Sequence, residues 1–355
     1  MSGNPGPRSV AITGAAGYIG KLVVERLARE PGSIETLVAV DRREPPAPAP
    51  AAAPGAAAGT GARFEPVVCD VRSPDLADVL RRHAVETVVH LASIVTPGRG
   101  ETREVAYSVD VLGTRNVLEA CAAAGVSHLV VASSGAAYGF HADNPEWLSE
   151  TDALRGNETF AYAHHKRLVE EMLARWRAER PELRQLVLRP GTVLGRATRN
   201  QITDLFEKPV ILGVRGAAGP FVFVWDEDVA LCIAIGVRER RAGVFNLAGD
   251  GVLTLRDIAA RTGKPYVRLP AALLRGALAL LGRAGLTQYG PEQVDFIRYR
   301  SALANDALKR DFGFTPRLGT RDVFELYWRA RTAAAAAAAG TGGAAAGVGG
   351  RAVHA

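Results

Sequence analysis

Tyr162 and Lys166 form a YxxxK pair within the stretch AYAHHKRLVEEMLARWRAE, and these two residue types can act on an alcohol. On a helix, residues four apart lie one turn apart on the same face, so the phenol and the ammonium would face one region. A phenolate held beside a cation can accept the proton of a substrate hydroxyl. Because the chain holds only five lysines among its 43 basic residues, a chance pair of this kind is uncommon.

Two serines, Ser133 and Ser134, follow the apolar stretch HLVVA, which predicts a buried strand. Ligands of open α/β sheets bind beyond the carboxyl ends of the strands. We therefore expect the serines and the helix that carries Tyr162 to face one crevice.

A glycine-rich turn follows the first predicted strand, VAIT. It reads GAAGYIG, with Gly14, Gly17 and Gly20 three residues apart, and an amphipathic helix comes next. Glycines let the backbone approach a pyrophosphate, whose charge is met by the helix N-terminus. The second predicted strand ends at Asp41, about 20 residues further on, where a carboxylate accepts hydrogen bonds from ribose hydroxyls. This context predicts a dinucleotide-binding turn.

The choice of dinucleotide depends on three neighbouring residues. The charge of Asp41 repels a 2′-phosphate and favours NAD, whereas the adjacent Arg42 and Arg43 carry the guanidinium groups that usually bind that phosphate in NADP. The sequence favours NAD and leaves NADP open.

Asp70 and Val71 follow the third predicted strand, where they are placed to meet the adenine. The Asp70 side chain has an equally good structural interpretation as the cap of a helix that starts near Ser73.

Short apolar runs alternate with longer helical patterns over most of the chain. We predict strands at 10–13, 36–40, 64–69, 87–92, 128–133 and 184–189. We predict helices at 20–29, 75–83, 111–125 and 161–179. This alternation is typical of βαβ units on a parallel sheet and predicts an α/β fold.

In this order, GxxGxxG, SSxxxYG (Ser133, Ser134, Tyr138, Gly139) and YxxxK resemble the motifs of the extended short-chain dehydrogenase/reductase family, the NAD-dependent epimerases and dehydratases. The resemblance covers about residues 8–331. Supporting matches are VVHLAS (88–93), VDVLGTRNVLEA (109–120), RPGTVLG (189–195), FVFVWDEDVA (221–230) and FNLAGDG (245–251).

The resemblance implies a Rossmann-type doubly wound parallel sheet with a smaller C-terminal substrate-binding lobe. The NAD-binding domain would comprise 8–188 and 220–247, and the lobe 189–219 and 248–331. Ala, Gly and Pro are concentrated in three segments, which we interpret as disordered tails at 1–7 and 332–355 and an inserted flexible loop at 44–63.

The resemblance also implies site roles. Tyr162 removes the substrate hydroxyl proton while hydride passes to the nicotinamide, Lys166 also holds the nicotinamide ribose, and Ser134, four residues before Tyr138, hydrogen-bonds the reacting oxygen. The implied cofactor contacts are Gly14, Ala16, Gly17, Tyr18, Ile19, Gly20, Asp41, Arg42, Asp70, Val71, Leu91, Ala92, Ser93, Asp110, Tyr162, Lys166, Arg189 and Pro190.

The resemblance favours a nucleotide-sugar (UDP-hexose) 4-epimerase that uses NAD and works as a homodimer through the YxxxK helix and the 111–124 helix. Two alternatives stay open. One is an NAD(P)-dependent carbonyl reductase or hydroxysteroid-type dehydrogenase that acts on an apolar alcohol. The other is a dinucleotide-sensing protein without catalysis.

Two positions depart from the family pattern. Asp110 stands where the family usually has Asn, and an ionised Asp could disturb the active-site backbone or pair with a neighbouring Arg. Gly219 and Pro220 lie near the place where sugar-nucleotide enzymes commonly carry an Arg that clamps the diphosphate. The candidate substitutes are Arg196, Arg199 and Arg215.

The segment 269–286, LPAALLRGALALLGRAGL, is almost wholly apolar. We interpret it as a buried helix of the lobe, with an apolar substrate pocket, a dimer contact or a peripheral membrane face as alternatives. Tyr289, Phe296, Tyr299 and Arg300 follow and are expected to line the same cleft.

Composition excludes several other classes. The net charge is +6, but the arginines are interleaved with Asp and Glu, so we expect a small-molecule substrate and no nucleic-acid partner. No apolar run is long enough for stable membrane insertion, and the N-terminus lacks an apolar signal region, which predicts a cytoplasmic protein. The three cysteines show no metal-ligand spacing, so we predict no metal site.

Overall fold

The computed structural model describes residues 6–49, 61–95, 102–217, 219–285 and 290–344, and the predicted segments at 1–5, 50–60 and 345–355 lie outside them, as does Tyr289. The described residues contain strands β1 Ser9–Thr13, β2 Thr36–Asp41, β3 Arg63–Val68, β4 Thr87–His90, β5 His128–Ala132, β6 Trp147–Leu148, β7 Arg184–Pro190, β8 Thr192–Leu194, β9 Ile211–Val214, β10 Phe223–Trp225, β11 Gly243–Leu247, β12 Tyr266–Leu269 and β13 Ala302–Leu303.

The helices of this part of the chain are α1 Tyr18–Arg29, α2 Leu76–Arg82, α3 Arg103–Tyr107, α4 Gly113–Ala124, α5 Ala161–Glu179, α6 Gln201–Glu207, α7 Asp226–Arg238, α8 Leu255–Thr262, α9 Ala271–Arg283, α10 Gln293–Arg298 and α11 Thr320–Ala344. A π-helical turn, Ser108–Leu112, joins α3 to α4. A 3₁₀ turn, Gly135–Tyr138, follows β5.

A parallel sheet of seven strands forms the centre of the protein, in the order β11-β7-β5-β4-β1-β2-β3. Its inner strands are buried and rich in Val and Leu, because helices cover both faces. Helices α1 and α7 share one apolar core with the sheet, and α2, α4 and α5 share the core on the opposite face. The predicted Rossmann-type doubly wound fold is confirmed.

The chain reverses its direction of strand addition between β1 and β4, which are neighbours in the sheet. A crevice opens at such a point, beyond the carboxyl ends of the two strands, and ligands of doubly wound folds bind there. Thr13 and His90 end these strands, and their side chains are joined by a 2.8 Å hydrogen bond between Oγ1 and Nδ1.

Beyond β7 the chain alternates between the sheet and a smaller lobe. Two short parallel pairs, β8 with β10 and β9 with β12, lie in this part. Phenylalanine side chains from α6, β10, α10 and α11 form its core. Strand β10 falls within the segment 220–247 that we predicted for the NAD-binding domain, but it pairs with β8, so the return to the large sheet begins with α7.

Two predicted segments differ from the structure. Helix α11 continues to Ala344, so the prediction of a disordered tail is wrong for 332–344, where a run of alanines, the best helix formers, extends the helix. The 269–286 segment does form a helix, α9, but none of its residues is buried. The prediction of a buried lobe helix is therefore wrong. The apolar residues favour a helix, but whether that helix is buried depends on which other elements pack against it.

Candidate active site

The glycine turn has a shape that side chains would block. Gly14 has φ +75°, and a Cβ there would lie 2.6 Å from the backbone nitrogen of Ala92. A Cβ at Gly20 would lie 2.1 Å from the carbonyl oxygen of Gly14, because the start of α1 rests directly on the turn. Gly17 closes the turn with a 2.9 Å hydrogen bond from its N–H to the Gly14 carbonyl. The turn therefore forms a concave stretch of backbone without side chains, directly before the N-terminus of α1. We call this turn the cradle.

The N-terminus of α1 suits an anionic group. Gly17 is its N-cap and provides no side-chain hydrogen bond, and the first turn holds no acidic residue. The backbone N–H groups there are open to a pyrophosphate. Ile19 packs on the core beneath. The Tyr18 hydroxyl is engaged by Asp226 and Thr198, so Tyr18 would serve the cofactor through its backbone.

Asp41 ends β2 beside the cradle. One of its carboxylate oxygens accepts a hydrogen bond from the N–H of Ala16, at 3.0 Å, and the other accepts from the N–H of Arg43, at 3.1 Å. The carboxylate therefore braces the turn, and each oxygen retains a lone pair for a ribose hydroxyl. Arg42 is exposed at the same edge.

Asp70 and Val71 lie beyond the end of β3. The Asp70 carboxylate is held by Arg72 through 2.9 and 2.7 Å bonds, and this guanidinium lowers the pKa of Asp70. The Val71 side chain is buried in the core, and its carbonyl accepts from Asn116. A role of Val71 at the adenine would therefore rest on its backbone N–H. The Asp70 carboxylate binds the Arg72 guanidinium, so the predicted helix cap by the Asp70 side chain is not formed.

The loop after β4 is fixed by Asp110 from the π-helical turn. Asp110 Oδ1 accepts hydrogen bonds from the Ser93 hydroxyl, at 2.9 Å, and from the N–H of Ile94, at 2.8 Å. Asp110 Oδ2 lies 3.1 Å from Nδ1 of His165 on α5. The partner of this unusual Asp is thus a histidine and not the arginine that we considered. Leu91 and Ala92 run past the glycine turn in the same loop.

Lys166 connects α5 to the end of β5. Its ammonium donates a 3.2 Å hydrogen bond to the carbonyl of Ala132 and lies 5.6 Å from the centre of the Tyr162 ring. Ser134 lies two residues beyond Ala132 and begins the 3₁₀ turn against which α5 packs. The fold therefore places Lys166 and Tyr162 of α5 at the end of β5, where the 3₁₀ turn capped by Ser134 begins.

The two serines after β5 have different surroundings. Ser133 is buried and donates a 2.6 Å hydrogen bond to Glu170. Ser134 accepts from the N–H of Ala136, at 3.1 Å, and its hydroxyl hydrogen remains for another acceptor. This arrangement favours Ser134 as the group that meets a substrate oxygen.

The Arg189 side chain is bound by other residues of the protein. Its guanidinium makes a buried two-pronged ion pair with Glu170, with bonds of 2.8 and 2.6 Å, and a 2.7 Å bond to the Tyr138 hydroxyl. These contacts fix the guanidinium inside the protein, so a cofactor contact at Arg189 would rest on its backbone. The sequence could not show this, because Glu170 lies on another element. Pro190, the last residue of β7, is also buried.

His90 is a site residue that sequence reasoning missed. Besides Thr13, it contacts the Thr114 hydroxyl through Nε2, at 3.0 Å. Burial, together with the nearby charge of Lys166, lowers the pKa of His90 to about 3. His90 is therefore a neutral brace at the bottom of the crevice, and only its place at the end of VVH could have drawn attention to it.

Arg300 lies between two aromatic rings of the lobe. Its guanidinium carbon is 4.2 Å from the ring centre of Phe221 and 4.7 Å from that of Phe296. It donates a 2.6 Å bond to the Thr192 hydroxyl, and its buried Nε has no partner in the described part of the chain. Phe296 stacks on Phe160, which precedes Tyr162 by two residues. Arg300 therefore lies among aromatic side chains of the lobe, one of which, Phe296, contacts Phe160 just before α5.

The charge of Arg300 is not balanced. Among the described residues it has no ion pair, and burial lowers its pKa to about 9. A buried guanidinium without a carboxylate is a good receptor for a phosphate or carboxylate ligand. The predicted substitutes for the missing clamp, Arg196, Arg199 and Arg215, are exposed.

Comparison with known proteins agrees with this geometry. Residues 10–220 match the model of the NAD dependent epimerase/dehydratase family, and the chain belongs to that family. It is an NAD-dependent enzyme of the extended short-chain dehydrogenase/reductase type.

Individual relatives are distant. An uncharacterized protein of Mycobacterium tuberculosis is 26% identical over 92% of this chain and 84% of its own length. The UDP-glucose 4-epimerase of Mus musculus is 30% identical over 170 residues, which are 46% of this chain and 47% of that enzyme. The structure of MoeE5 in complex with UDP-glucose and NAD superposes with a TM-score of 0.67 at 24% identity, covering 92% of this chain and 99% of MoeE5.

Proposed function

We propose that this enzyme is a 4-epimerase of nucleotide sugars, with a UDP-hexose as substrate. The observation that supports it most is the Lys166 ammonium, which bonds to Ala132, two residues before Ser134, and lies near the Tyr162 ring. A base, a cation and a hydroxyl at one strand end form the set needed to oxidise and reduce a secondary alcohol.

The residues around the glycine turn fit NAD. The cradle that a Cβ would fill at Gly14 and Gly20 admits a pyrophosphate, and Asp41 presents a carboxylate to a ribose and opposes a 2′-phosphate. NAD, when bound, supplies a reversible hydride acceptor for the alcohol carbon. We prefer NAD to NADP because the Asp41 carboxylate is fixed by two backbone N–H groups, whereas Arg42 stands exposed.

Residues of the protein transfer the substrate proton. Tyr162 as phenolate takes the proton of the substrate hydroxyl, and the Lys166 ammonium stabilises the phenolate charge. Ser134 donates to the reacting oxygen and holds it beside Tyr162. When the keto group is reduced again from its other face, Tyr162 returns the proton, so the enzyme ends the cycle unchanged.

Arg300 supports a diphosphate-bearing substrate over an apolar alcohol. A guanidinium that lacks a carboxylate would bind the nucleoside diphosphate and fix the sugar in the crevice, while the rings of Phe221 and Phe296 exclude water around it. An apolar alcohol would leave this charge without a counterion.

Two measurements test whether the enzyme binds and converts a UDP-hexose. Calorimetry of the NAD-loaded enzyme with UDP should show binding that weakens at least tenfold in Arg300→Met, whereas the exposed Arg215→Met control should bind as the wild type does. Nuclear magnetic resonance should show UDP-glucose converting to UDP-galactose. If neither UDP nor any UDP-hexose gives heat, the nucleotide-sugar proposal fails and the apolar-alcohol dehydrogenase becomes the better interpretation.

We further propose that the enzyme is a homodimer through α4 and α5. Three apolar side chains, Val105, Tyr107 and Leu112, are more than one-third exposed on the segment that leads into α4. Large exposed apolar side chains beside α4 favour a protein interface in this region.

A further inference from the structure

Helix α9 presents an apolar surface to solvent. Leu273 is 57% exposed, Leu280 69% and Leu281 40%. At 100° per residue, Leu273, Ala277, Leu280 and Ala284 lie on one side of the helix, and each is exposed. This side carries no polar residue from Ala272 to Gly282, so within the described residues it is an apolar face about 16 Å long that nothing covers.

The opposite side of α9 is anchored to the lobe. Leu274 and Leu278 are half-buried, and the Arg275 guanidinium donates to Asp295 of α10. The contacts with the lobe therefore fix the orientation of α9, and this orientation exposes its leucines to solvent.

The charged residues of α9 and of the segments directly flanking it have one sign. From Tyr266 to Gly285 the chain holds three arginines and no acidic residue. Arg275 is paired, but Arg268 and Arg283 are exposed, and the described part of the chain offers neither an ion pair. Arg215 is exposed beside the start of the helix, since its N–H donates to the Leu269 carbonyl. Basic groups thus stand at both ends of the apolar face.

We propose that α9 binds the surface of an anionic lipid bilayer, with its leucines in the acyl boundary and the arginines at the headgroups. An apolar helical face with basic flanks matches both layers of such a surface. None of the described helices is long and apolar enough to cross the bilayer, so α9 would lie in its plane. This inference does not depend on the substrate of the enzyme.

A second copy of the chain is a poorer occupant. In a symmetric pair of α9 helices, Arg283 of each copy would approach basic groups of the other, and no carboxylate on the face could balance them. A bilayer containing phosphatidylglycerol supplies that negative charge over the whole area.

Vesicle flotation of the full-length, NAD-loaded protein tests the proposal. We expect binding to vesicles of phosphatidylglycerol and phosphatidylcholine in equal parts, at least tenfold tighter than to phosphatidylcholine alone, and weaker in 0.5 M than in 0.1 M NaCl, because arginine contacts are screened. Equal binding to both vesicles, or none to the anionic ones, would overturn the proposal.

Variants of α9 test whether its exposed leucines contribute to membrane binding. Leu273→Glu with Leu280→Glu should reduce vesicle binding at least tenfold while NAD content and thermal unfolding stay as in the wild type. Val68→Glu, at an exposed apolar residue of the edge strand β3, is the matched control and should bind normally. Light scattering decides against the bilayer if the leucine variants instead convert a dimer to a monomer, since the occupant would then be a second copy.

Discussion

Asp110 Oδ2 lies 3.1 Å from Nδ1 of His165, and both side chains are 1% exposed. A carboxylate can only accept, so Nδ1 of His165 carries the hydrogen of this bond. The pair connects the loop after β4, through Ser93, to the helix that carries Tyr162. One residue that departs from the family pattern is therefore matched by a histidine 55 positions away.

Asp110→Asn should weaken this connection. The amide NH₂ would face Nδ1, which would have to present its lone pair, and the hydrogen would move to Nε2, a buried atom without a partner among the described residues. We expect the free energy of unfolding to fall by about 1–3 kcal/mol. Urea denaturation of both single variants and of Asp110→Asn with His165→Asn measures it. Additive losses in this cycle would show that the two side chains are not coupled.

Tyr162→Phe should abolish turnover and leave NAD binding unchanged. The ring remains near Lys166, but the hydroxyl that we propose as the base is lost, and loss of a general base costs about 10²–10⁴ in rate. Turnover and the NAD content of the purified protein are the two measurements. A Phe variant with the wild-type rate would remove Tyr162 from the mechanism. Tyr107→Phe, which alters an exposed tyrosine, is the control.

Asp41→Asn should narrow the preference for NAD over NADP. The amide keeps one oxygen for the N–H of Ala16 but removes the charge that opposes a 2′-phosphate. We expect the ratio of the two dissociation constants to shift at least tenfold toward NADP, as measured by fluorescence titration. If the wild type already binds NADP more tightly, then Arg42 and not Asp41 sets the preference.

The stability of the protein should fall in mild acid because of two buried histidines. Burial lowers the pKa of His90 to about 3 and that of His128 to about 4, against about 6.5 in the unfolded chain. Below pH 6.5 the unfolded chain therefore binds protons that the native protein does not. Each histidine should cost about 1.4 kcal/mol per pH unit until its native pKa is reached.

Urea denaturation at pH 7, 6 and 5 measures this slope. His128→Gln keeps a donor for the Arg241 carbonyl and removes one titrating group, so its slope should be shallower than that of the wild type. Identical slopes for the two proteins would show that His128 does not contribute.

Leu112→Arg should convert the proposed homodimer to a monomer. Leu112 is 40% exposed where the chain enters α4, and a charge there would be buried without a partner in the proposed interface. Light scattering of the variant and of Val68→Arg, a substitution at a distant exposed residue, gives the answer. A wild type that is monomeric at micromolar concentration would refute the interface directly.

Much of the site follows from local sequence. The glycine turn, the strand end at Asp41 and the YxxxK helix are each set by a few consecutive residues, and the structure forms α5 at 161–179, as predicted. Spacing of this kind is informative because helix and strand periods decide which side chains share a face.

Relationships between distant elements were decided only by the tertiary structure. The sequence predicted an apolar helix in the segment 269–286, but burial depends on what packs against it, and the lobe covers only one side of α9. The sequence also showed that Arg189 and Asp110 are charged residues near the predicted site. It did not show that Arg189 pairs with Glu170, or that Asp110 pairs with His165. Local patterns fix the backbone of each element, whereas the partner of a buried charge depends on where the fold brings the other elements.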